Sequence, residues 1–291
     1  MNSVSDAILT IGMPVYNGEA YLNLAIQSLL SQDFKRWELL IVDNHSTDAS
    51  WDIINSYALY DSRITCIRRE KNIGAAANFI GLVEMTKSPY FMWAAADDTW
   101  SNNYISSCLE VLEEHAEVGL SGGAIQNTDA NGNVIRIYES FFGFSDKDTR
   151  VRIVSYLRAT EVDGKANIIY SVFRTDLIKT VCAIRNIFTG WGADMAFVLA
   201  AISRMPYMQV GQSTLFKRMT SSSDVQTAKL ISCGLYNKIQ YGGNFPFEYF
   251  YSYVRALIRG VSLFRLKFFV INIMLYRLIC VSFRKGLGED K

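Results

Sequence analysis

Short apolar runs alternate with segments of helical period over the first hundred residues, and this alternation constrains the fold more than any other feature. The apolar runs are Ala7 to Met13, Trp37 to Val42, Ile64 to Ile67 and Tyr90 to Ala95; the helical segments are Ala20 to Leu30, Ala49 to Tyr57 and Ala75 to Met85. Buried strands joined by helices form a mainly parallel sheet with both faces covered. The predicted fold class is therefore α/β.

Polar clusters follow three of these predicted strands. They are Pro14-Val15-Tyr16-Asn17, the segment from Asp43 to Asp48, and Asp97-Asp98-Thr99. The carboxyl ends of parallel strands meet at one edge of a sheet, and ligands of such sheets bind there. We therefore expect the three clusters to share one ligand-binding edge.

The pattern changes after about residue 118. Val118 to Gln126 and Val134 to Tyr138, with a turn at Asn131-Gly132, predict an antiparallel hairpin. A polar break at Thr220 to Asp224 predicts the end of the main domain. We expect one domain over residues 1–219, divided into halves at 1–117 and 118–219, followed by a C-terminal segment at 220–291.

Composition excludes several classes of protein. With 29 basic and 28 acidic residues the net charge is +1, so no overall field favours nucleic acid as a partner. The five cysteines form no CxxC pair, which is typical of neither a zinc site nor a disulfide framework, and a reducing, cytoplasmic setting is expected. Because the polar segment Met1 to Asp6 lacks signal-peptide features, secretion is not expected.

The carboxylate of Asp43 is predicted at the end of a strand, before residues that suit the start of a helix. A fixed carboxylate recognises an N–H donor such as that of uracil, but an Asp in this position also serves to close a turn. On spacing alone, both interpretations stay open. Arg68 and Arg69 follow the next strand, where a guanidinium would neutralise a diphosphate.

Two adjacent carboxylates, Asp97 and Asp98, follow the fourth strand. Their mutual repulsion is costly unless a cation lies beside them, and oxygen ligands suit Mg²⁺ or Mn²⁺. Such a cation would bridge the phosphates of a nucleotide diphosphate. The alternative is that the pair caps the helix that follows.

These clusters, together with the segments Thr10 to Glu19 and Asn72 to Asn78, resemble family two glycosyltransferases of the GT-A fold, over roughly residues 7–215. The resemblance implies a Rossmann-like sheet, a nucleotide-sugar-binding half, an acceptor half and transfer of a sugar with inversion. It implies a metal at Asp98 and Asp97, with Mn²⁺ or Mg²⁺ as the cofactor. It also implies that the donor is bound by Pro14, Tyr16, Asp43, Asn72, Gly74, Asn78 and Asp97. Asn17 and Arg68 are predicted to contact the donor as well.

Asp194 follows the segment Thr189-Gly190-Trp191-Gly192 and lies at the start of a predicted helix, where a carboxylate can simply favour the helix dipole. By resemblance, Asp194 occupies the position of the general base, which takes the proton of the acceptor hydroxyl. Trp191 is predicted to stack on the acceptor sugar, with a core position as the alternative. One departure from the family pattern is Ala95, where many members carry a further Asp. His45 and His115 are interpreted as structural.

Residues 249–288 contain no acidic residue, while arginines and lysines alternate there with aromatic and aliphatic residues. The longest uncharged run, Phe268 to Tyr276, is far below the roughly 20 residues that span a bilayer. The segment is predicted to be helical and basic, and to contact the cytoplasmic face of a membrane where a lipid-linked acceptor would be met. The alternative is a pair of helices that pack on the catalytic domain.

Taken together, the sequence predicts an inverting hexosyltransferase that uses a UDP or dTDP sugar, with a glycan or lipid-linked acceptor, in bacterial surface polysaccharide assembly. A non-catalytic nucleotide-sugar-binding or scaffold subunit is the alternative, and Ala95 is the feature that favours it. A nucleotidyltransferase would need a glycine-rich basic loop after the first strand. Neither GxGxxG nor GxxxxGK[ST] follows a predicted strand, which disfavours dinucleotide and P-loop enzymes.

Overall fold

The computed structural model describes residues 6–138, 141, 143–159, 164–188 and 193–219. Nine strands occur in these residues: β1 Leu9–Val15, β2 Trp37–Asp43, β3 Ile64–Arg68, β4 Tyr90–Trp93, β5 Thr99–Trp100, β6 Leu120–Thr128, β7 Val134–Ile137, β8 Val172–Arg174 and β9 Tyr207–Arg218. The α-helices of the same residues are α1 Leu22–Leu30, α2 Ser50–Tyr60, α3 Ala75–Met85, α4 Tyr104–Glu114, α5 Thr149–Arg158, α6 Thr175–Cys182 and α7 Ala193–Ile202. A 3-10 helix covers Lys165–Tyr170.

The first four strands form the parallel half of one sheet, in the order β3-β2-β1-β4. Pairing is parallel throughout this half, and Val15 at the end of β1 is in register with Asp43 at the end of β2, which is in register with Arg68. The strands are rich in buried aliphatic residues because helices cover both faces. The predicted α/β sheet and its common carboxyl edge are confirmed.

The second half of the sheet is mixed. β8 joins β4 and β6 in antiparallel pairing, β6 pairs with β9 in parallel, and β5 pairs antiparallel with β9. The predicted hairpin is present as β6 and β7, although β6 begins at Leu120 and continues to Thr128, two residues later at each end than the apolar pattern indicated.

Two groups of buried side chains pack on opposite sides of the sheet, one beneath α1, α2 and α4 and the other beneath α3, α5, α6 and α7. Trp93 lies at the centre of the second group, with its ring 5.2 Å from that of Phe197 in α7 and 5.4 Å from that of Phe91. All residues of α7 from Met195 to Ile202 are buried, so the helix has little freedom to move. The first turn of α7 is therefore held at a fixed place beside β4.

Residues 220–291, including the predicted membrane-contacting segment 249–288, lie outside the described residues. In the part of the chain that the structure describes, no helix combines the length and the apolar character needed to cross a bilayer.

Candidate functional site

The loops that follow β1 and β2 are joined by hydrogen bonds at the carboxyl edge of the sheet. Asn17 adopts a positive φ of 52°, a conformation that Asn tolerates better than most residues. Its backbone N–H donates to Ser46 Oγ at 2.9 Å, and its Oδ1 accepts from the backbone N–H of Thr47 at 2.9 Å. Tyr16 beside it is 52% exposed and Pro14 is partly buried, so Tyr16 presents its ring at the surface of this edge.

Asp43 lies buried beneath these loops. Its two carboxylate oxygens accept from the backbone N–H of Ser46 at 3.1 and 3.3 Å, and its Oδ2 lies 3.3 Å from Nε of Arg68. Arg68 also donates to the carbonyl of Ser46 at 2.9 Å. Asp43 therefore closes the turn after β2, which is one of the two interpretations that the sequence left open. It also positions the half-exposed guanidinium of Arg68 at the same edge.

The segment that precedes α3 is tied to the β2 loop through Asn72. The side-chain oxygen of Asn72 accepts from Asn44 Nδ2 at 2.9 Å and from the backbone N–H of Gly74 at 2.8 Å. Gly74 has a φ of +85°, and a Cβ added there would meet no atom within 4 Å, so the chain turns tightly over open space. Asn78 is buried and donates to the carbonyl of Val42 at 3.0 Å, which anchors α3 to β2.

The acidic pair forms a turn between β4 and β5 and caps no helix, because α4 begins only at Tyr104. Asp98 is fully buried, and its Oδ1 accepts from the backbone N–H of Arg218 at 2.8 Å. Its Oδ2 has no hydrogen-bond partner and lies 3.6 Å from Nζ of Lys217, at ion-pair distance. Asp97 is only partly buried, so one carboxylate faces inward while its neighbour reaches the surface of the edge.

Burial raises the pKa of Asp98, and the charge of Asp97 adds to the rise, whereas Lys217 and the N–H of Arg218 oppose it. The site therefore places a negative charge where water is scarce and provides a lysine beside it. The sequence pattern predicted no site role for Lys217 or Arg218. A basic pair at the end of an apolar run gives no signal that it will meet an acidic turn more than a hundred residues earlier.

Asp194 is exposed in the first turn of α7, where its Oδ1 accepts from the backbone N–H of Met195 at 2.8 Å. Desolvation raises the pKa of Tyr170, Lys217 opposes the rise, and the charges of Asp98, Asp97 and Asp194 add to it. These three carboxylates therefore act electrostatically on the same phenol. Trp191 lies outside the described residues.

Carboxylate oxygens are available to a cation at this turn. Within the described part of the chain, no group of three or more His, Cys, Asp or Glu side chains is arranged to hold a metal ion. The unbonded Oδ2 of Asp98 and the carboxylate of Asp97 are nevertheless the oxygen ligands that Mg²⁺ and Mn²⁺ prefer, and such ions commonly take their remaining ligands from phosphates and water.

An α/β sheet with a parallel half and a mixed extension, and with polar side chains gathered at the carboxyl edge of the parallel strands, has the architecture of the GT-A fold. The chain belongs to glycosyl transferase family 2, whose family model matches residues 10–173, more than half of its length. The predicted family is therefore confirmed.

Two bacterial relatives carry names that describe a glycosyltransferase activity or process. TuaG of Bacillus subtilis, assigned to teichuronic acid biosynthesis as a glycosyltransferase, is 26% identical over 191 residues, which cover 64% of this chain and 76% of TuaG. WfaP of Escherichia coli, named a UDP-Glc:alpha-D-GlcNAc-diphosphoundecaprenol beta-1,3-glucosyltransferase, is 34% identical over 106 residues. That match covers 36% of this chain and 41% of WfaP, so the chain spans less than half the length of this relative.

Two solved structures share the fold. TarS 1–349 of S. aureus in complex with UDP matches with a TM-score of 0.57 and 17% identity, over 96% of this chain and 91% of that chain. The mannosyltransferase PcManGT from Pyrobaculum calidifontis, in complex with GDP-Man and Mn²⁺, matches with a TM-score of 0.52 and 13% identity, over 99% of this chain and 89% of that chain. At these identities the likeness concerns the fold.

Proposed function

We propose that this protein transfers a hexose, with inversion, from a UDP or dTDP sugar to a hydroxyl of a glycan or lipid-linked acceptor in bacterial surface polysaccharide assembly, such as that of O-antigen or capsule. One observation carries the proposal. The buried Asp43 with its half-exposed partner Arg68, the asparagine-rich loops and the acidic turn all lie at the carboxyl edge of the parallel strands. Ligands of open α/β sheets bind at that edge.

The donor is held by two kinds of group in this proposal. Asp43, fixed by Ser46 and Arg68, contributes to base recognition, with the exposed ring of Tyr16 and the residues Asn17 and Asn72 around it. The guanidinium of Arg68 is half exposed and faces the same edge, where it would neutralise part of the diphosphate charge. Arg68 therefore links the recognition of the base to the binding of the phosphates.

Asp97 and Asp98 would hold the divalent cation, Mn²⁺ or Mg²⁺. The buried Oδ2 of Asp98 fits that use, since it accepts no hydrogen bond and a carboxylate oxygen in that state is costly in a desolvated position. A cation bound there would supply positive charge to the diphosphate as the sugar leaves. Lys217, at 3.6 Å from the same oxygen, adds a fixed positive charge to this subsite.

Asp194 acts as the general base of the proposed reaction. Its carboxylate accepts a hydrogen bond from the backbone N–H of Met195 and is exposed, so an acceptor hydroxyl can approach it. The proton of the acceptor hydroxyl passes to Asp194 as the oxygen attacks the anomeric carbon and the nucleotide diphosphate departs from the opposite face. The buried α7 holds this carboxylate in place.

Residues 249–288 would bring the enzyme to its acceptor. The segment is basic and aromatic and has no acidic residue, a composition suited to the anionic inner face of a plasma membrane. A lipid-linked acceptor is named for WfaP, and an acceptor of that kind supports a peripheral, cytoplasmic location for this chain.

Calorimetric titration with UDP, dTDP and GDP, each with Mn²⁺, Mg²⁺ or chelator, tests the proposal. Wild-type protein should bind UDP or dTDP more tightly with Mn²⁺ or Mg²⁺ than with chelator. In Asp97→Asn, most of this gain in affinity should be lost. Asp61→Asn is the matched control, because Asp61 pairs with Arg63 away from the site at 2.7 Å. Absence of nucleotide binding by the wild type under every condition would overturn the proposal.

The alternative is a non-catalytic subunit that binds the nucleotide sugar without turnover, which Ala95 in place of an acidic residue favours. Asp194→Asn separates the two functions. In an enzyme, this variant should retain donor binding within about twofold and lose transfer by about a hundredfold or more, which is the scale of general base catalysis. A wild type that binds the donor and a panel of acceptors but transfers no sugar would support the alternative.

A further inference from the structure

Arg218, the last residue of β9, contacts three loops that are distant in sequence. Its Nε donates to the carbonyl of Asp97 at 3.1 Å, and its Nη1 donates to the carbonyls of Asp129 and Ala130 at 3.1 and 2.8 Å. Its guanidinium carbon also lies 4.6 Å from the centre of the Tyr21 ring, just before α1. The residue is 8% exposed, so these contacts are made in a desolvated position.

The chemistry of the guanidinium explains why an arginine stands here. Its donors form a rigid planar fork, so a single side chain reaches carbonyls in the acidic turn and in the β6–β7 turn together. Charge-assisted hydrogen bonds are stronger than neutral ones and strengthen further where water is excluded. A lysine of the same charge lacks this fork and would not satisfy the same carbonyls in one conformation.

Both members of the acidic pair depend on Arg218. Its side chain binds the carbonyl of Asp97, which belongs to the peptide unit between Asp97 and Asp98, and its backbone N–H binds Oδ1 of Asp98. Fixing that planar unit restricts the backbone rotations on which the directions of both carboxylates depend. The side chain therefore controls the orientation of the turn, while the backbone contact remains whatever residue stands at 218.

We propose that Arg218 is a positioning residue that clamps the acidic turn to the β6–β7 turn and to the start of α1, and so sets the geometry of the donor and cation subsite. The effect on donor and cation binding rests on the proposed function, which assigns the acidic turn to that subsite. The contacts by which Arg218 holds the turn do not depend on the proposed function. The contacts and the effect on binding are therefore tested by different measurements.

Arg174 offers a matched control at the opposite edge of the sheet, where it is in register with Tyr90 at the beginning of β4. Its side chain likewise binds three backbone carbonyls, those of Leu112, His115 and Val118, and its guanidinium lies 5.8 Å from the Tyr90 ring. Arg174→Lys removes an equivalent set of contacts far from the acidic turn. Its effects report the cost of losing a partly buried arginine that binds three carbonyls, without any change at the acidic turn.

The first measurement is hydrogen exchange of the full-length protein without ligand, compared between wild type, Arg218→Lys, Arg218→Met and Arg174→Lys. Exchange in peptides that contain residues 96–100 and 128–134 should become faster in both Arg218 variants and stay at the wild-type rate in Arg174→Lys. Unchanged exchange of the acidic turn in the Arg218 variants would overturn the clamp, whatever the protein binds.

The second measurement is titration with UDP or dTDP and Mn²⁺. Arg218→Lys should bind about tenfold more weakly, because small misplacements of binding groups have costs of that order, while Arg174→Lys should stay within about twofold of wild type even if its melting temperature falls. Equal losses in the two variants would overturn the positioning role. If the wild type binds no nucleotide, the proposed function fails, and the exchange comparison alone decides the clamp.

Discussion

The ion pair between Asp43 and Arg68 joins a fully buried carboxylate to a half-exposed guanidinium. Asp43→Asn should lower the free energy of unfolding by about 1–3 kcal/mol, because the charged hydrogen bonds are lost and Arg68 is left without its anion. Arg68→Gln alone should cost a similar amount, because it leaves the fully buried carboxylate of Asp43 without its cation, although solvent screens part of this loss at the half-exposed position of Arg68. Denaturant unfolding of the single and double variants measures the coupling between the two residues.

The double variant of Asp43 and Arg68 shows whether the two side chains stabilise the fold together. If the two side chains act as a unit, its loss should be smaller than the sum of the single losses by about 0.5 kcal/mol or more. Strict additivity would contradict the pairing. Asp61→Asn provides the comparison with a pair in which both partners keep some access to solvent, and it should cost no more than about 1 kcal/mol.

The position of a site residue along the chain decides whether the sequence predicts it. Asp43, Asp97 and Asp98 stand directly after apolar runs, so the topology of a parallel sheet brings them to one edge without any knowledge of side-chain contacts. Lys217 and Arg218 reach the same edge only because β9 pairs with β6 and β5. That pairing is not encoded in local periodicity, and its contacts with Asp98 and Asp97 emerge only in the folded chain.

At the scale of elements, the close approach of β6 and β9 controls where Lys217 and Arg218 arrive. The register shifts between Gly123 and Ala124, opposite residues 211–213 of β9. A Cβ built on Gly123 would lie 2.5 Å from the carbonyl oxygen of Ser213, which is backbone and cannot rotate away. Only glycine therefore allows this spacing of the two strands.

Gly123→Ala should thus destabilise the protein by about 1–3 kcal/mol, the usual cost of an overpacked site, and weaken nucleotide binding because the end of β9 shifts. Gly211→Ala is the control on the facing strand. A Cβ at Gly211 would meet no atom within 4 Å, so its effect should stay within about 0.5 kcal/mol. Thermal unfolding and titration of both variants give the comparison, and equal melting temperatures would show that the strands adjust to the added methyl group.

The two halves of the sheet differ in how much their sequence reveals. Strands β1, β2 and β4 are largely buried, and helices join all four strands in order, so their apolar runs predict both their positions and their parallel pairing. β3, at the edge of the sheet, is only partly buried. β5 has two residues, β8 has three, and β8 pairs with β4 from about eighty residues away. Short strands with long-range partners carry too little local pattern to be placed from sequence.

At the scale of the whole molecule, the basic segment 249–288 is proposed to determine where the enzyme works. Seven arginines and lysines, Arg255, Arg259, Arg265, Lys267, Arg277, Arg284 and Lys285, are spread among apolar residues without an acidic residue to offset them. Attraction of such a segment to anionic lipid contributes about 1 kcal/mol for each basic residue near the surface and decays within a Debye length.

The full-length protein should therefore sediment with vesicles that contain anionic phosphatidylglycerol, and it should bind neutral phosphatidylcholine vesicles much less. Replacing Arg255, Arg259 and Arg265 by Gln should reduce the partition coefficient by about a hundredfold, since three contributions of that size are removed. Arg63→Gln removes a basic residue outside the segment and should leave the partition unchanged. If sedimentation persists in the triple variant and at high salt, the apolar residues alone hold the protein on lipid. If the wild type does not sediment at all, the basic segment packs on the protein itself.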